Sequence, residues 1–515
     1  MSTPGTVTGT ARPDTRARWR GLAVLVAGAF VVDAVYALSR HAQYLTGGFD
    51  LGLFDQAVRA YSRFGPPVAP IKGVGYDLLG DHFHPVLAVL APLYWVWDDP
   101  RVLLLAQAAL FAVSVVPVAR FTERRFGRRR ALVVAAAYAF SWPLQAAVDF
   151  DVHEIAFAVP LLAFLVDAMD RRDLRWVVGS ALALLLVRED MGAVVAVAGV
   201  LVAVDAWRAR RRRGPGDGGG SRGLWVGLGL VPVGLVGFWF ATAVAIPARA
   251  PSGTFAYWTY TALGPDPVSA LRFALTHPWD VARLAVTPSV KAETLVMLFL
   301  PVLFAALGSR YVLLAAPLLA ERFLNDREHL WTTEFHYSSV TAPIVLLAAV
   351  DVVGRLAARR TAGPDGAAAR STPGRRRLVD AWVAWTLAVV LVGTATDGAL
   401  YPFHRLLTGE AFTRLEKVDH IEAVLTRLPV QVCVEADERI TPHLTRDRFV
   451  TLPTRSQGLA TWLVLDMDQA ETGWQTPPPA VVLAAAPGLG FREVTRSGPI
   501  VLLERQAPVD PACRV

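Results

Sequence analysis

The chain has 515 residues, of which 54% are hydrophobic and 18% are charged, and its mean hydropathy is +0.39. Soluble domains average about 25% charged residues, so this composition excludes an ordinary soluble protein. The net charge of +7 would suggest nucleic-acid binding in a soluble protein. Here the arginines lie in short clusters beside apolar segments, the positive-inside pattern of membrane proteins. The composition favours a polytopic membrane protein with no nucleic-acid partner.

The N-terminal part predicts a cytoplasmic start. Residues 1–20 are rich in Thr, Pro and Arg and are predicted to be disordered, and an uncleaved first helix follows at 21–38. The polar segment 39–84 is then an outer loop. Segment 85–97 is apolar but short. We interpret it as an interfacial or re-entrant helix, because counting it as a span would put the Arg-rich cluster at 120–130 outside.

The remaining apolar runs complete a core predicted to have about eleven transmembrane helices and to cover residues 21–400. After the first helix, the predicted spans are 100–120, 131–147, 155–169, 176–190, 192–207, 224–247, 292–308, 311–324, 338–354 and 378–400. This count places the N-terminus in the cytoplasm and the C-terminus outside.

The tail, residues 401–515, changes character. It predicts a helix at 412–428, and short strands at 430–436, 448–452, 461–466, 491–495 and 500–504. This pattern indicates a small extracytoplasmic α/β domain. The two cysteines, Cys433 and Cys513, exclude a CxxC motif, and an oxidising compartment would permit a disulfide between them.

Two motifs flank the first outer loop. FDLGLFDQ (49–56) carries Asp50 and Asp55, separated by a glycine that lets both point into one cleft. The alternative for Asp55 is a cap on the helix that follows. GDHFHP (80–85) carries His82 and His84, which point the same way on an extended segment and suit a metal or a phosphate. The alternative is a solvated pair of loop histidines.

Two further motifs lie at the outer ends of later spans. DFDVHE (149–154) offers Asp151, His153 and Glu154, for which an acidic helix cap is the alternative. REDMG (188–192) offers Arg188, Glu189 and Asp190 between two short apolar runs, so the chain must turn there. Charged side chains in a membrane protein usually face a cavity, and we expect these residues at the floor of one. The segment 324–337 adds Arg327, His336 and Tyr337.

These motifs resemble known families. FDLGLFDQ, GDHFHP, the short apolar piece and the turn RRFGRR (124–129) are similar to the start of the GT-C glycosyltransferases, multi-span enzymes that take sugars from polyprenyl-phosphate carriers. FDLGLFDQ, DFDVHE, REDMG and the His336–Tyr337 pair more closely resemble an uncharacterised bacterial family of predicted membrane proteins. That second resemblance covers about residues 30–350.

The GT-C resemblance implies transfer of a sugar from a polyprenyl-phosphate donor to an envelope glycan or lipid acceptor, on the outer face of the bacterial inner membrane. It implies an essential acidic residue in the first outer loop, here Asp50 or Asp55. The GT-C pattern often reads Asp-Glu, whereas this chain has Asp55-Gln56, so the identity of the base stays open. A base takes the acceptor's proton. A cation stabilises the phosphate leaving group, for which Arg188, Arg249, Lys291 and Arg327 are candidates.

The remaining site residues are assigned to substrate binding. They are His82, His84, Asp151, His153, Glu154, Arg188, Glu189, Asp190, His336 and Tyr337. The main alternative function is a transporter or flippase, which internal inverted repeats would favour, and no clear symmetry is visible. A third is a metal-dependent hydrolase using His82, His84, Asp151 and His153, without an HExxH motif. A divalent metal is compatible with these residues, while no cofactor is fixed and the oligomeric state is open.

Overall fold

The computed structural model describes residues 15–213, 218–359, 373–473, 475–508 and 510–513. The helices of the membrane part are α1 Thr15–Ala42, α2 Leu53–Ser62, α3 Ala91–Tyr94, α4 Arg101–Phe126, α5 Arg128–Ala139, α6 Trp142–Asp149, α7 Ala158–Arg171, α8 Leu174–Leu184, α9 Met191–Arg213, α10 Gly218–Phe240, α11 Pro267–Thr276, α12 Pro278–Leu284, α13 Ser289–Phe299, α14 Ala316–Phe323, α15 Ala342–Arg359 and α16 Pro373–Thr396. Of the segment predicted to be disordered, residues 1–14 lie outside the described residues, and Thr15 onward is helical.

Seven helical segments in the described ranges are long and apolar enough to cross a membrane. They are Trp19–Ala42, Arg101–Phe126, Arg128–Asp149, Met191–Arg212, Ser221–Ala245, His336–Ala358 and Gly374–Thr396. An eighth is present if Pro278–Leu284 and Ser289–Val302 count as one span, although the two are bent by 83°. The chain is therefore a polytopic helical membrane protein.

The predicted count of about eleven spans is not confirmed. The segments predicted at 155–169, 176–190 and 311–324 fold as α7, α8 and α14, with 14, 11 and 8 residues. Each is shorter than the roughly 20 residues that cross a bilayer. Segment 85–97 is also short, since it folds as a 3-10 turn followed by the 4-residue α3.

The helices run between two chemically different ends. At the first, the arginine end, basic residues at the end of α4 pair with carboxylates at the end of α7 and in the second half of α15: Arg124 with Asp167 and Asp170, and Arg125 with Asp170 and Asp351. At the opposite end, the loop end, Arg40 in the last turn of α1 pairs with Asp149 and Asp151. All four motif segments lie at the loop end.

The tail forms the small sheet domain that its sequence predicts. Its helices are α17 His404–Thr408, α18 Glu416–Leu425 and α19 Pro479–Ala485, and its strands are β1 Cys433–Ala436, β2 Phe449–Thr451, β3 Trp462–Asp466, β4 Phe491–Ser497 and β5 Ile500–Arg505. The strand order is β2-β1-β3-β5-β4. The first three strands are parallel, and β5 is antiparallel to both β3 and β4. Cys433 and Cys513 form a disulfide.

This domain docks on the loop end through α2. The side chain of Gln56 donates to the carbonyl of Val450 on β2 at 2.9 Å, and Arg59 donates to the carbonyl of Thr445 at 2.8 Å. The carboxyl end of β1 meets the chain just before α2, where Gly48 donates to the carbonyl of Glu438 at 2.7 Å. The tail is therefore packed directly against the segment that carries the first motif.

Candidate functional site

Asp50 lies on a single turn of π-helix. Residues Gly48–Gly52 form this turn, and α2 continues from it. Such wider turns are frequent at functional sites. The Asp50 side chain is 22% exposed, and its Oδ1 lies 3.1 Å from Nε2 of His153. The turn therefore presents a partly open carboxylate next to a histidine from a distant part of the chain.

Asp151 fixes the backbone in front of this turn. One of its oxygens accepts from the Gly47 N–H at 2.6 Å, and the other accepts from Arg40 at 2.7 Å. Burial raises the pKa of the Asp151 carboxyl, an effect that the charge of Arg40 opposes. Both carboxylate oxygens of Asp151 are hydrogen-bonded within the protein. Asp151 therefore contributes to the site by holding the backbone of Gly47 in place.

A stack of aromatic rings extends from Asp50. The ring of His153 packs on that of His336, with centroids 3.6 Å apart, and Phe150 stacks on His153 at 5.2 Å. The Nδ1 atoms of His153 and His336 are both buried, with no hydrogen-bond partner among the described residues. Buried polar atoms are normally paired. Two unpaired ring nitrogens beside one carboxylate indicate a place where a ligand can bind.

Asp55, the second candidate base, lies in a different environment. Its side chain is fully buried, with Oδ2 2.5 Å from Nη1 of Arg59 and Oδ1 accepting from the Tyr94 hydroxyl at 2.7 Å. Arg59 also pairs with Asp98 at 2.7 Å. The structure does not bring Asp55 together with the Asp50 group. Its contacts favour a structural role that holds α2 against α3.

The two loop histidines approach the REDMG turn. Nδ1 of His82 lies 2.7 Å from Oε1 of Glu189, and the His82 ring stacks on Tyr257 at 4.2 Å. Burial lowers the pKa of His82, but the Glu189 carboxylate more than offsets this, so the pKa is raised. Burial favours the protonated form of Glu189, yet His82 and Arg188 lower its pKa to about 2. His84 is buried, and its Nδ1 has no partner among the described residues.

The turn at residues 185–190 joins α8 to α9 at the loop end and contains the first three residues of the REDMG motif. Arg188 binds Asp190 through two hydrogen bonds of 2.8 and 2.7 Å. Its guanidinium lies 3.8 Å from Glu154 and 4.0 Å from Glu321. Arg188 is therefore surrounded by carboxylates, and its charge is already balanced within the protein.

Arg327 differs from Arg188 in this respect. Its guanidinium lies over the ring of Tyr257, 4.5 Å from the ring centroid, and its Nε is buried without a hydrogen-bond partner among the described residues. In the part of the chain that the structure describes, no carboxylate pairs with it. Arg327 is thus a positive charge available to an anionic ligand. Of the other candidate cations, Lys291 donates to the carbonyl of Leu284 at 2.9 Å, and Arg249 lies 3.5 Å from Asp77.

Tyr337 connects these groups. Its ring lies 4.2 Å from that of His336, and the charges that act on its hydroxyl are Asp50, Arg327, Arg188 and Glu321. The structure thereby gathers the predicted site residues other than Asp55 into one contiguous group. Its members are Asp50, His82, His84, Asp151, His153, Glu154, Arg188, Glu189, Asp190, His336 and Tyr337.

One residue beside this group, Glu438, is not singled out by its sequence pattern. Glu438 follows β1 in the tail domain, and its Oε1 accepts from the Phe49 N–H at 2.7 Å. Burial raises the pKa of Glu438 to about 8, and Asp50 adds to this increase. The available signal was the pair Asp437-Glu438 directly after a buried strand, since ligand sites gather at the carboxyl ends of parallel strands.

The residues do not form a metal site of the predicted kind. Among the described residues, no group of three or more His, Cys, Asp or Glu side chains is arranged to hold a metal ion. Asp50 and His153 contact each other, whereas His82 pairs with Glu189 and Asp151 with Arg40. This arrangement gives no support to a metal-dependent hydrolase using His82, His84, Asp151 and His153, and no step below involves a metal.

The sequence family is established by comparison with family models. The model described as "predicted membrane protein (DUF2079)" matches residues 40–478. The chain belongs to the DUF2079 family. No curated protein matches it in sequence. The family description agrees with the helical membrane core and leaves the activity open.

Solved structures show the fold. The crystal structure of ArnT from Cupriavidus metallidurans bound to undecaprenyl phosphate superimposes with a TM-score of 0.51 at 15% identity, covering 95% of this chain and 98% of ArnT. The apo oligosaccharyltransferase of Archaeoglobus fulgidus gives a TM-score of 0.37 at 10% identity, covering 95% of this chain and 75% of that one. ArnT is a GT-C glycosyltransferase, and by its superposition the DUF2079 chain has a GT-C-like fold.

Proposed function

We propose that this DUF2079 protein is a membrane glycosyltransferase that transfers a sugar from a polyprenyl-phosphate donor to a hydroxyl acceptor. The observation that carries the proposal is that a carboxylate and a cation both act on one tyrosine, Tyr337. The charges of Asp50, a partly open carboxylate, and of Arg327, a cation with no carboxylate partner among the described residues, both act on the Tyr337 hydroxyl. The GT-C-like fold supports it, and the ArnT structure of that fold holds undecaprenyl phosphate.

In this proposal Asp50 is the general base. As the acceptor oxygen forms a bond to the anomeric carbon, the Asp50 carboxylate takes the hydroxyl proton, and the bond from that carbon to the phosphate oxygen breaks. A positioned base contributes typically about 10²–10⁴-fold to such a step. His153, 3.1 Å from Oδ1, orients the carboxylate. Direct displacement inverts the configuration at the anomeric carbon.

Arg327 is assigned to the leaving group. The polyprenyl phosphate departs with the electron pair of the broken bond and gains negative charge. A preorganised cation stabilises such charge most strongly where water is excluded. Arg327 is held over Tyr257, and among the described residues no carboxylate pairs with it, unlike Arg188, so it is the better phosphate ligand of the two.

The loop end is assigned to the outer face of the membrane. The described basic side chains at the ends of α4, α7 and α15 cluster at the opposite end, which the positive-inside pattern places in the cytoplasm. A donor carried by a lipid supplies its own activated bond, so the site needs no cytoplasmic nucleotide. The disulfide in the tail domain fits an oxidising compartment.

The proposal is tested with purified full-length protein in lipid nanodiscs. It is supplied with radiolabelled polyprenyl-phosphate sugars and an envelope glycan or lipid fraction, and label transfer is measured. We expect transfer by the wild type and none by Asp50→Asn. If the wild type only moves intact lipid-linked sugar between leaflets of a proteoliposome, the protein is a flippase and the proposal is wrong.

A further inference from the structure

The tail domain forms hydrogen bonds with two consecutive backbone N–H groups of the turn that carries Asp50. The carbonyl of Glu438 accepts from the Gly48 N–H at 2.7 Å, and its carboxyl Oε1 accepts from the Phe49 N–H at 2.7 Å. These N–H groups belong to the first turn of the π-helix, where the backbone has no partner within the helix. One residue of the tail thus satisfies the two N–H groups that precede Asp50.

The chain is adapted to this contact at Gly47 and Gly48. A Cβ atom on Gly47 would lie 2.8 Å from Oε1 of Glu438, and one on Gly48 would lie 2.9 Å from the Cβ of Thr441. Real Cβ atoms essentially never come this close to other heavy atoms. Neither glycine has a positive φ. The close approach of the tail domain therefore leaves no room for a side chain at Gly48, and a side chain at Gly47 would displace the Glu438 carboxyl group.

Three carboxyl groups converge at the same place. The point where a Cβ on Gly47 would stand is 2.8 Å from Glu438 Oε1, 3.4 Å from Asp50 Oδ2 and 3.7 Å from Asp151 Oδ2. Arg40 balances Asp151, and His153 contacts Asp50. Glu438 forms no ion pair within the described residues, and its Oε2 is buried without a hydrogen-bond partner there.

Charge balance decides which group holds a proton. Three ionised carboxyl groups this close would repel strongly, and burial adds a further cost for the unpaired one. Of the arginines near Glu438, Arg439 donates to the carbonyl of Leu45 and Arg455 donates to the carbonyl of Lys72 at 3.0 Å. Burial raises the pKa of Glu438 to about 8. Its burial, its missing ion pair among the described residues and the nearby carboxylates all favour a protonated Glu438 at neutral pH.

We propose that Glu438, in its protonated form, is a positioning residue for Asp50: it latches the tail domain onto the Asp50 turn and keeps a third negative charge away from the base. The latch itself follows from the contacts above, and its catalytic consequence rests on the proposed function. When Glu438 ionises, its carboxylate interacts unfavourably with Asp50, Asp151 and Asp437, and favourably with Arg439 and Arg455. The repulsion loosens the turn, so the stabilisation weakens as the pH rises above the usual pKa of a glutamate, about 4.3, and is lost once the pH passes about 8.

The test uses full-length protein in nanodiscs and two variants, Glu438→Gln and Glu438→Ala. Gln has the shape of the protonated acid and does not titrate, whereas Ala removes the hydrogen bond to Phe49. Hydrogen exchange of the peptide spanning residues 47–54 is measured from pH 6 to 9 and corrected for the intrinsic pH dependence. Glu493→Gln, on an exposed strand of the same domain, is the matched control.

In the wild type and Glu493→Gln, we expect corrected exchange to rise by up to about 10-fold per pH unit from pH 6 to about pH 8 and then to level off, the response to one ionisation whose pKa is raised in the closed state. Glu438→Gln should stay protected throughout, and Glu438→Ala should exchange fast at every pH. If the wild type and Glu438→Gln show the same pH profile, or if Glu438→Gln exchanges as fast as Glu438→Ala, the proposal is overturned. The exchange result needs no turnover, so a wild type that fails to transfer sugar would refute the proposed function and leave the latch standing.

The same variants separate positioning from mere stability in the transfer assay. Glu438→Gln should retain wild-type activity at pH 7 and extend it above pH 8, where the wild type declines. Glu438→Ala should lose kcat with little change in KM for the donor. A general loss of folded protein would lower all activities in parallel without moving the pH profile, and that outcome would contradict a positioning role.

Discussion

The two ends of the helical core differ in whether their buried polar side chains have partners within the protein. At the arginine end, Asp167 is completely buried but pairs with Arg124 at 2.6 Å and Arg171 at 3.0 Å. None of the buried side-chain atoms that lack a partner among the described residues lies at that end. At the loop end and in the tail domain, such atoms include ring nitrogens of His84, His153 and His336 and the Nε of Arg327. A buried polar group without a partner is costly, so a fold keeps several together where a ligand uses them. The buried charges at the arginine end are paired within the protein, and the loop end is where we propose that the ligand binds.

The largest effects on activity and stability should come from replacing one aspartate at each end with asparagine. Asp50→Asn keeps size and hydrogen bonding but removes the proton acceptor, so turnover should fall by about 10²–10⁴-fold. The folded protein should melt at an unchanged temperature. Asp167→Asn should do the reverse, since it leaves arginines unpaired at the arginine end. Transfer rates and melting curves of both variants check this, and a melting temperature that falls equally in both would contradict the comparison.

Arg327→Gln should produce the next largest change. Loss of the cation over Tyr257 should lower kcat/KM for the donor by about 10²–10³-fold, as for removal of one preorganised electrostatic contact. Arg327→Lys should recover part of this, because the charge returns without the planar contact. At the arginine end, Arg355→Gln is the control, since Arg355 is half-exposed. Equal activity of Arg327→Gln and the wild type would remove Arg327 from the phosphate site.

Substitution of Asp55 tests whether this residue has a structural role or belongs to the proposed binding site. Asp55→Asn would leave Arg59 buried with reduced compensation, at a cost of about 3–5 kcal/mol of unfolding free energy. The variant that remains folded should transfer sugar at a normal rate. Chemical denaturation and single-turnover rates measure the two quantities. A fully stable Asp55→Asn variant with no activity would move the base from Asp50 to Asp55.

A smaller effect concerns the stability of the loop end with pH. Because the pKa of His82 is raised by Glu189, the stabilisation from this pair is fully present below about pH 6.5 and is lost as the pH rises through the raised pKa. Each unit of pKa shift corresponds to about 1.4 kcal/mol. The melting temperature of wild type minus that of His82→Gln should therefore shrink from pH 6 to pH 9. A constant difference would show that the pair does not titrate in this range.

The sequence predicted those features that depend on local pattern. Each of the five strands of the tail was visible as a short apolar run, and the turn at 185–190 followed from the two short runs around REDMG. Arginine clustering predicted which motifs share an end. The number of spans was harder, because α8 and α14 are apolar but too short for length alone to define a crossing.

Other features depend on contacts that no local pattern reveals. Glu438 meets Phe49 across 389 residues of sequence, and its environment exists only after the tail domain docks. The structural role of Asp55 could have been recognised, since Arg59 lies four residues later on the same helix face and such pairs attract. Asp50 and Asp55 look equivalent in the sequence. What distinguishes them is the solvent exposure of their side chains, and that exposure is a property of the fold.

The most direct test of the account is a structure of the full-length protein with a bound polyprenyl-phosphate sugar. The account predicts the phosphate within hydrogen-bonding distance of Arg327 and the anomeric carbon on the side of Asp50, with Tyr337 between them. The lipid chain should extend from the loop end into the bilayer. A phosphate bound at the arginine end, or a sugar remote from Asp50, would contradict the central claim.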